Sequence, residues 1–406
     1  MFSVDEALKV ILSNISVKAQ YEKIDIFDCY GRTLFNDHIA GSDIPLKDNS
    51  SMDGYAVICD DINSANIDTP VILKVVNETR AGHAFHGNRL QKGCAIRIMT
   101  GAPIPEGADS VIQFEATEES GEFVKIFKRT LKHENIRFAG EDIKKGNIIL
   151  KKGSRIDSAD IGLLSSINLK EIPVFKKPKV AIVSTGDELV EPGGAFSEKI
   201  VNSNAYVLYS EIKKYGGDPF YAGIIKDNYE DVKNMFLKLM DYDIIISSGG
   251  VSMGRYDFIP KALNDIGVDI KINKVLIKPG KPIIFGTRKE KAFFGLPGNP
   301  VSVMVSFMQF VRPALLKMGG NTTISKPVLR AIAEKDIIKE KGRRHFIRGV
   351  FHIENGGLFV KTTGPQGSGI LTSMSISNCL IIIPEDTELV KSGDYVDIQL
   401  TGHSEI

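Results

Sequence analysis

Residues 243–257 read DIIISSGGVSMGRYD, and this stretch, together with two loops that follow it, decides the fold. The apolar run at residues 244–246 breaks into serine and glycine, which predicts a buried parallel strand that ends in a tight loop. Side chains are nearly absent from residues 247–250, so backbone N–H groups there can approach a ligand closely. A loop of this kind ahead of a helix is typical of sites that bind phosphate or another oxyanion.

Two more loops rich in glycine and proline follow. Residues 278–282 read KPGKP, and residues 295–300 read GLPGNP. Proline restricts φ and glycine permits positive φ, which predicts stiff loops and two fixed cations, Lys278 and Lys281. Any one of the three loops by itself is more typical of an ordinary turn between a strand and a helix. Three of them, each where a strand is expected to end, favour a binding site.

The pattern around these loops predicts an α/β domain between two β-rich regions. From Pro178 to Gly320, apolar runs alternate with amphipathic stretches, which is typical of a mostly parallel sheet covered by helices. Short strand-like runs separated by glycine and proline dominate residues 70–130. Five more such runs, from about Ser325 onward, are enough for a small barrel or sandwich. The predicted fold class is therefore α/β plus β, in several domains.

Two helices have clear boundary signals. Ser3 and Glu6 form a capping-box pattern, which predicts a short helix to about Asn14. Asn299 and Pro300 suit the cap and first turn of a second helix, which should run to about Met318 with a kink at Pro313. The apolar segment at residues 292–316 contains polar and charged residues, so it is interpreted as a core strand and helix rather than a membrane span.

Charged side chains follow the predicted parallel strands at their carboxyl ends, where ligands bind on such sheets. Carboxylates beside a phosphate would repel it unless a hard cation such as Mg²⁺ bridges them, whereas ammonium groups hold an oxyanion directly. We therefore expect a Mg²⁺-assisted site for a phosphorylated ligand. The alternative is that the carboxylates cap helices, which is the better interpretation of Asp227 alone. The charged residues concerned are Asp187, Glu188, Asp227, Asp257, Lys278 and Lys281.

A polar loop in the first β-rich region is another candidate for function. Residues 48–57 read DNSSMDGYAV, with Asp53 directly before Gly54. Its carboxylate could contact a ligand or form an Asx turn, and the residues alone favour neither. Thr100 opens a further loop, TGAPIPEG, which could equally be a plain connection between strands.

Composition excludes several classes of protein. The 406 residues have a formal net charge of +1, so no global field attracts nucleic acid or an anionic membrane. Four scattered cysteines without C-x-x-C pairing predict reduced thiols, no zinc site and a cytoplasmic location. The first ten residues lack the basic start of a signal peptide. The P-loop, the dinucleotide fingerprint and the G-x-S-x-G elbow do not occur.

Seven stretches together resemble the MoeA-type molybdopterin molybdenumtransferase family, which includes the E domains of gephyrin and of plant Cnx proteins. They occur in the family's order and cover nearly the whole chain, although any one alone would be a weak signal. The matching stretches are SMDGYA at 51–56, TGAP at 100–103, AGED at 139–142, STGDEL at 184–189, SGGVS at 248–252 with Gly254 and Asp257, KPGKP at 278–282 and GLPGNP at 295–300.

The resemblance implies four subdomains in an elongated homodimer. The first subdomain is discontinuous, residues 1–40 and 140–176, and the β-rich second, residues 41–139, is inserted in it. The third, residues 177–324, is similar to the molybdopterin-binding fold, and the fourth, residues 325–406, is a β-barrel. The implied active cleft lies between the third subdomain of one protomer and the first two of its partner. The implied reaction inserts molybdate into adenylylated molybdopterin, cleaves the pyrophosphate and releases AMP.

The resemblance also implies roles for individual residues. Glu188, Asp227 and Asp257 would assist Mg²⁺ and the phosphates, while Lys278 and Lys281 would hold molybdate. Catalytic side chains from across the dimer would be Asp53, Thr100 and Asp142. Arg344, with Ser368 or Ser373, would add contacts to molybdate from the fourth subdomain. The expected contacts to the pterin nucleotide are Ser184, Thr185, Gly186, Asp187, Ser248, Gly249, Gly250, Ser252, Gly254, Pro297, Gly298 and Asn299.

Two rival functions remain open at this point. A non-catalytic molybdopterin-binding scaffold would fit the same fold, but no extended linker or fused second pterin domain is present in the sequence. A nucleotide-pyrophosphate hydrolase with the third-subdomain fold would not need Asp53 or Thr100. Expected partners are a second copy of the chain, a molybdopterin adenylyltransferase and molybdoenzyme chaperones, with neither nucleic acid nor membrane.

Overall fold

The computed structural model describes residues 1–83, 86–193, 198–251 and 258–402. The chain divides into two compact units. The larger unit contains Met1–Asn36, Lys152–Ser158 and Glu171–Ile406, and the smaller unit contains Asp37–Lys151 and Ala159–Lys170.

The larger unit begins with helix α1, Val4–Ser13. The predicted capping box is present: the Glu6 N–H donates to Ser3 Oγ, and the Ser3 N–H donates to the Glu6 carboxylate. Val4, Ala7 and Ile11 are buried against the main core. Strand β1, Tyr21–Asp25, and the 3₁₀ turn Ile26–Asp28 follow.

The smaller unit is built around a six-stranded sheet in the order β7-β4-β6-β5-β9-β8, in which only β5 and β6 pair in parallel. This agrees with the strand-like pattern predicted for residues 70–130. Its elements are β2 His38–Ile39, β3 Asn49–Ser50, β4 Gly54–Val57, the 3₁₀ turn Cys59–Ile62, β5 Val71–Thr79, β6 Cys94–Ile98, β7 Ser110–Gln113, the 3₁₀ turn Phe114–Ala116, β8 Thr117–Ser120, β9 Phe123–Ile126, β10 Ile136–Arg137, β11 Ile148–Leu150 and helix α2 Ser158–Ser166.

The α/β part of the larger unit holds a second six-stranded sheet, in the order β16-β13-β17-β21-β20-β18. Its elements are β12 Glu171–Phe175, β13 Lys179–Thr185, β14 Leu189–Val190, β15 Ile200–Val201, α3 Asn204–Lys214, β16 Asp218–Ile225, α4 Tyr229–Lys238, β17 Ile244–Ser248, α5 Ile259–Asp265, β18 Asp269–Lys274, β19 Ile277–Lys278, β20 Pro282–Arg288, β21 Lys291–Leu296, α6 Pro300–Ser306, the π-helical turn Phe307–Val311 and α7 Arg312–Met318.

This sheet is parallel where the sequence predicted it and antiparallel at one edge. Strands β16, β13, β17 and β21 run in parallel, while β20 is antiparallel to both β21 and β18. Both faces are buried, because α1, α3, α6 and α7 cover one face and α4 and α5 cover the other. The apolar runs of the sequence are continuous for that reason.

The apolar helix Pro300–Met318 is long enough to cross a membrane, but its most apolar stretch is 89% buried inside the protein. It is a core helix, as predicted. Its irregular turn, Phe307–Val311, is π-helical and directly precedes Arg312 and Pro313. Proline has no N–H for the i→i−4 bond, which explains why the helix is irregular here.

The C-terminal part of the larger unit is a closed five-stranded barrel in the order β24-β25-β22-β28-β26, with β26 pairing back to β24. Its elements are β22 Val328–Ala333, β23 Ile337–Ile338, β24 Arg344–Glu354, β25 Gly357–Thr362, α8 Thr372–Ile376, β26 Cys379–Ile383, β27 Leu389–Val390 and β28 Tyr395–Leu400. Strand β19, which follows β18 along the chain, pairs in parallel with β24, so Lys278 lies opposite His345. This pairing brings the lysine loop to the barrel.

Candidate functional site

The glycine loop after β17 lies in the centre of the carboxyl edge of the α/β sheet. Ser248 pairs with Ser184 of β13 on one side and with Leu296 of β21 on the other. Gly249 has a φ of +94°, and a Cβ there would lie 2.6 Å from the Thr185 carbonyl oxygen. The strand can therefore continue into this tight loop only with glycine at position 249. Three of the predicted loops thus meet at one edge.

Asn204, at the start of α3, connects two of these loops. Its Nδ2 donates to Ser248 Oγ at 2.9 Å and to the Gly298 carbonyl oxygen at 2.7 Å. Its Oδ1 and the hydroxyl of Thr185 are buried without a hydrogen-bond partner among the described residues. Buried polar atoms of this kind are normally satisfied, so a ligand is the natural partner for them here. Asn204 was not among the predicted residues, because an asparagine at a helix start is usually a cap.

Ser184 is placed differently from its neighbours. Its side chain is fully buried, and its hydroxyl exchanges hydrogen bonds with the amide of Asn202 at 3.1 and 3.3 Å. The same amide donates to the hydroxyl of Tyr221. Ser184 therefore holds the base of the loop, which first reaches solvent at Asp187 and Glu188.

The acidic residues of this edge lie close to the backbone of the same loop. A Cβ on Gly186 would lie 2.7 Å from the Glu188 carboxylate, and the Asp227 N–H donates to Asp187 Oδ1 at 3.4 Å. In the part of the chain that the structure describes, no three His, Cys, Asp or Glu side chains form a group able to hold a metal. The third predicted Mg²⁺ ligand, Asp257, lies outside the described residues, as do Ser252 and Gly254.

The lysine loop, the Pro297–Asn299 turn and the barrel together enclose a cavity of about 470 Å³, which we call the oxyanion cavity. It is lined by residues 278–282, Pro297, Asn299, Ser302, Arg343, residues 345–348 and residues 366–368. Four of these side chains are cationic, and none of the lining residues, within the described chain, is acidic. Neither Lys278 nor Lys281 is in an ion pair with a described residue. Arg343 is 3.6 Å from Glu340, which does not line the cavity. A cavity of this size with an excess of positive charge suits a small oxyanion.

Arg348 is the most unusual side chain of the oxyanion cavity. It is only 1% exposed, and no carboxylate among the described residues pairs with it. Its Nε donates to Ser373 Oγ and its Nη2 to the Gly367 carbonyl oxygen, both at 3.0 Å. Burial lowers the pKa of Arg348 to about 10, so the side chain is still charged at neutral pH. Burying a cation without a carboxylate beside it costs free energy, even when it is hydrogen-bonded. This arrangement is expected of a side chain that binds an anionic ligand.

Arg344 and Ser373, which the resemblance places at the molybdate, contact protein groups in the structure. Both Nη atoms of Arg344 donate to the Asp5 carboxylate at 2.8 Å, and its Nε lies 3.3 Å from Glu385 Oε1. Its guanidinium is thus engaged by two carboxylates, while Arg343 and Arg348 line the oxyanion cavity. Ser373 is buried and orients Arg348, and Ser368 lines the cavity.

The smaller unit brings two predicted residues together. Asp53 Oδ1 accepts hydrogen bonds from the Thr100 N–H at 2.6 Å and from the Thr100 hydroxyl at 2.7 Å. These bonds, first from the backbone and then from the side chain, lower the pKa of Asp53. The carboxylate is exposed, and Asp142 is also exposed in the same unit. Asp53 therefore combines an ionised, oriented carboxylate with access to solvent.

Gly54, the residue after Asp53, provides a test of how this loop is held. A Cβ at position 54 would lie 1.9 Å from the backbone oxygen of Ile112, so Gly54→Ala must push two paired strands apart. We expect a loss of about 3 kcal/mol in the free energy of unfolding of the smaller unit, measured by denaturant titration. The matched control is Gly162→Ala in helix α2, where a Cβ meets nothing within 4 Å. This variant should be stabilised by up to about 1 kcal/mol. Equal stability of the two variants would contradict the close approach at Gly54.

Comparison with known proteins extends these observations to the whole chain. Three family domains match in order: the MoeA N-terminal region (domains I and II) at residues 2–168, a probable molybdopterin-binding domain at 181–317 and the MoeA C-terminal region (domain IV) at 330–401. The chain is 35% identical to the molybdopterin molybdenumtransferase of Haemophilus influenzae over 99% of both chains. It is 34% identical to that of Bacillus subtilis, over 98% of this chain and 93% of the relative. The crystal structure of the molybdopterin biosynthesis MoeA protein from Pyrococcus horikoshii OT3 superposes with a TM-score of 0.85 at 34% identity, over 98% of this chain and 100% of that one.

Proposed function

Since this chain belongs to the MoeA family of molybdopterin molybdenumtransferases, we propose that its oxyanion cavity holds molybdate and that its sheet-edge loops hold adenylylated molybdopterin. Membership makes the protein a transferase enzyme of molybdenum cofactor biosynthesis, with molybdopterin and molybdate as its substrates. A non-catalytic scaffold is therefore the weaker interpretation. The finer proposal concerns which atoms hold which substrate.

The observation that supports this assignment is the charge of the oxyanion cavity. Lys278, Lys281, Arg343 and Arg348 line it, and of these four only Arg343 is in an ion pair with a described residue, with Glu340 at 3.6 Å outside the lining. Molybdate is a tetrahedral dianion, and ammonium and guanidinium groups bind such ions through charge-assisted hydrogen bonds. Pro297 and Asn299 line the same cavity, and Asn204 connects the neighbouring Gly298 to Ser248. A nucleotide held by the sheet-edge loops would thus lie next to the bound oxyanion.

The arrangement supports a reaction that depends on positioning. Two anions must meet, and the four cations of the oxyanion cavity reduce their mutual repulsion. Preorganised cations and backbone N–H groups also stabilise negative charge that develops as the pyrophosphate bond breaks. Holding the oxyanion and the nucleotide side by side lowers the entropic cost of their encounter. No side chain has to act as a nucleophile.

Magnesium stays a prediction from the sequence. Glu188 and Asp227 lie at the correct edge, but the described residues do not by themselves form a metal site. Asp257 would have to complete it. We therefore assign no chemical step to the ion. In the cleavage of a pyrophosphate, a bound divalent cation would offset the negative charge of the phosphates.

The direct test is AMP release from purified adenylylated molybdopterin, with and without molybdate, followed by chromatography. A molybdenumtransferase should release AMP in step with molybdate and transfer molybdenum to the pterin. A nucleotide-pyrophosphate hydrolase would release AMP at the same rate without the oxyanion. The same assay with EDTA tests the requirement for a divalent cation.

We further propose that the enzyme is a homodimer and that Asp53, Thr100 and Asp142 act on the nucleotide held by the partner protomer. The support is indirect: Asp53 is an oriented, exposed carboxylate in the smaller unit. Asp53→Ala and Lys278→Ala proteins should each be about 10²-fold less active than the wild type, but mixing them under subunit exchange should restore about a quarter of wild-type activity. Half of the dimers then contain one protomer of each variant, and one of the two sites in each of these dimers is intact.

The mixing experiment distinguishes a shared site from a site within one chain. If Asp53 and Lys278 acted within the same protomer, mixed dimers would contain no intact site and activity would not return. The control mixes Asp53→Ala with Asp142→Ala, which lie on the same side of the proposed site and should not complement. The expected binding partners, an adenylyltransferase and molybdoenzyme chaperones, and the cytoplasmic location remain expectations.

A further inference from the structure

His345 lines the oxyanion cavity but has no role in the reaction as proposed. It is 5% exposed, and its Nε2 is buried with no hydrogen-bond partner among the described residues. The parallel pairing of β19 with β24 places it opposite Lys278. His345 also lines an adjoining groove of about 840 Å³, and it shares this position between the two spaces with Lys278, Ile347 and Gln366. A buried ring nitrogen without a partner, at the wall of a cavity, is available to a ligand.

The charges that face His345 are predominantly positive. Burial, followed by the charges of Lys339, Lys278 and Arg343, lowers the pKa of its imidazole to about 4. The ring is therefore neutral at pH 7 in the empty cavity. The nearby carboxylates are already engaged with other cations: Glu385 with Arg344, Glu340 with Arg343 and Glu388 with Lys341. Strand β26, on the other side of β24, places the apolar Ile383 opposite His345.

We propose that His345 takes up a proton when a dianion enters the oxyanion cavity, and that this residue thereby couples oxyanion binding to pH. The inference rests on the proposed role of that cavity. A dianion offsets the charges of the surrounding lysines and arginines and offers an acceptor for an imidazolium N–H, and both effects favour the protonated ring. The proton comes from solvent and returns to it when the oxyanion leaves.

The sign of the effect follows from linkage. A group whose pKa is higher in the complex than in the free protein binds a proton together with the ligand. Oxyanion affinity should therefore rise as the pH falls from the pKa of the complex toward that of the free protein. Above the pKa of the complex the affinity should not change. The pKa of Arg348 is about 10, so its guanidinium keeps its charge throughout this range and contributes no slope.

The test is calorimetric binding of sulfate to the full chain between pH 8 and pH 5, because sulfate remains a dianion over this range. Wild-type affinity should increase at least about tenfold as the pH falls, with proton uptake seen as a dependence of the binding heat on the buffer. His345→Gln keeps a polar side chain of similar size that cannot titrate, so its affinity should be independent of pH. The control is His352→Gln: His352 lies on the same strand but outside the cavity, and its variant should keep the wild-type slope.

Each result bears on the inference separately from the proposed function. A wild-type slope in His345→Gln, or a flat wild-type profile without proton uptake, would overturn it. Should His345→Gln not fold, the buffer-dependent heats of the wild type decide the question alone. Different results would show that the proposed function is wrong: sulfate and molybdate would not bind at any pH, or Lys278→Ala would bind them as tightly as the wild type does.

Discussion

The Lys278→Ala enzyme is expected to release AMP from adenylylated molybdopterin at a molybdate-dependent rate about 10²-fold below that of the wild type. Lys278 is exposed at the end of β19, lines the oxyanion cavity and is in no ion pair with a described residue. Removing it leaves the fold intact but withdraws one of four charges from the place where the oxyanion binds. The loss should appear in kcat/KM for molybdate, measured by AMP release over a range of molybdate concentrations.

The control for this experiment is Lys335→Ala. Lys335 is also exposed and belongs to the same unit, but it does not line the oxyanion cavity. Its variant should match the wild type within about twofold, because an isolated surface charge contributes little. Lys278→Arg should be intermediate, since it keeps the charge but not the compact ammonium geometry. If Lys278→Ala turned over at the wild-type rate, Lys278 would have no part in the mechanism.

The βα alternation and the barrel could be predicted because both depend on local pattern. Residues 244–246 form a strand buried on both faces, and all five predicted C-terminal strands are present in the closed barrel. The family resemblance and the fold class are confirmed by the full-length matches. The pattern could not show that β20 runs antiparallel, because an apolar run has the same hydrophobic pattern whichever way the strand runs in the sheet. Nor could it show that Lys278 pairs with the barrel, which is a contact between distant segments.

The candidate site was predictable in its loops and its two lysines but not in its arginines. The KPGKP and GLPGNP loops are stiff from local chemistry, and both line the oxyanion cavity. Three arginines lie within six residues in the sequence RRHFIR, and only strand register determines which of them face the cavity. Arg344, which the resemblance favoured, contacts Asp5 from the far end of the chain. The one signal for Arg348 was a charge between the apolar pairs Phe346–Ile347 and Val350–Phe351 of its strand, which is rare unless the residue has a function.

Arg348→Met is expected to separate stability from activity more clearly than any other change. Methionine has a similar length but no charge, so it removes the cost of burying an uncompensated guanidinium. The free energy of unfolding should be unchanged or higher by up to about 2 kcal/mol, measured by denaturant titration without oxyanion. Molybdate-dependent AMP release should fall about 10³-fold, because the variant loses a fixed cation of the oxyanion cavity.

Molybdate itself provides the second measurement on this variant. At about a hundredfold excess over Kd, an oxyanion that binds only the folded protein adds about 2.7 kcal/mol to its stability. Wild-type protein should gain this stabilisation and Arg348→Met should not. Arg330→Met, a change on an exposed arginine of the same barrel that lies over the Tyr395 ring, should retain both the stabilisation and the activity. A structural role for Arg348 predicts the opposite: Arg348→Met would lose more than about 3 kcal/mol of stability, as when one partner of a buried pair is removed, and would still be stabilised by molybdate.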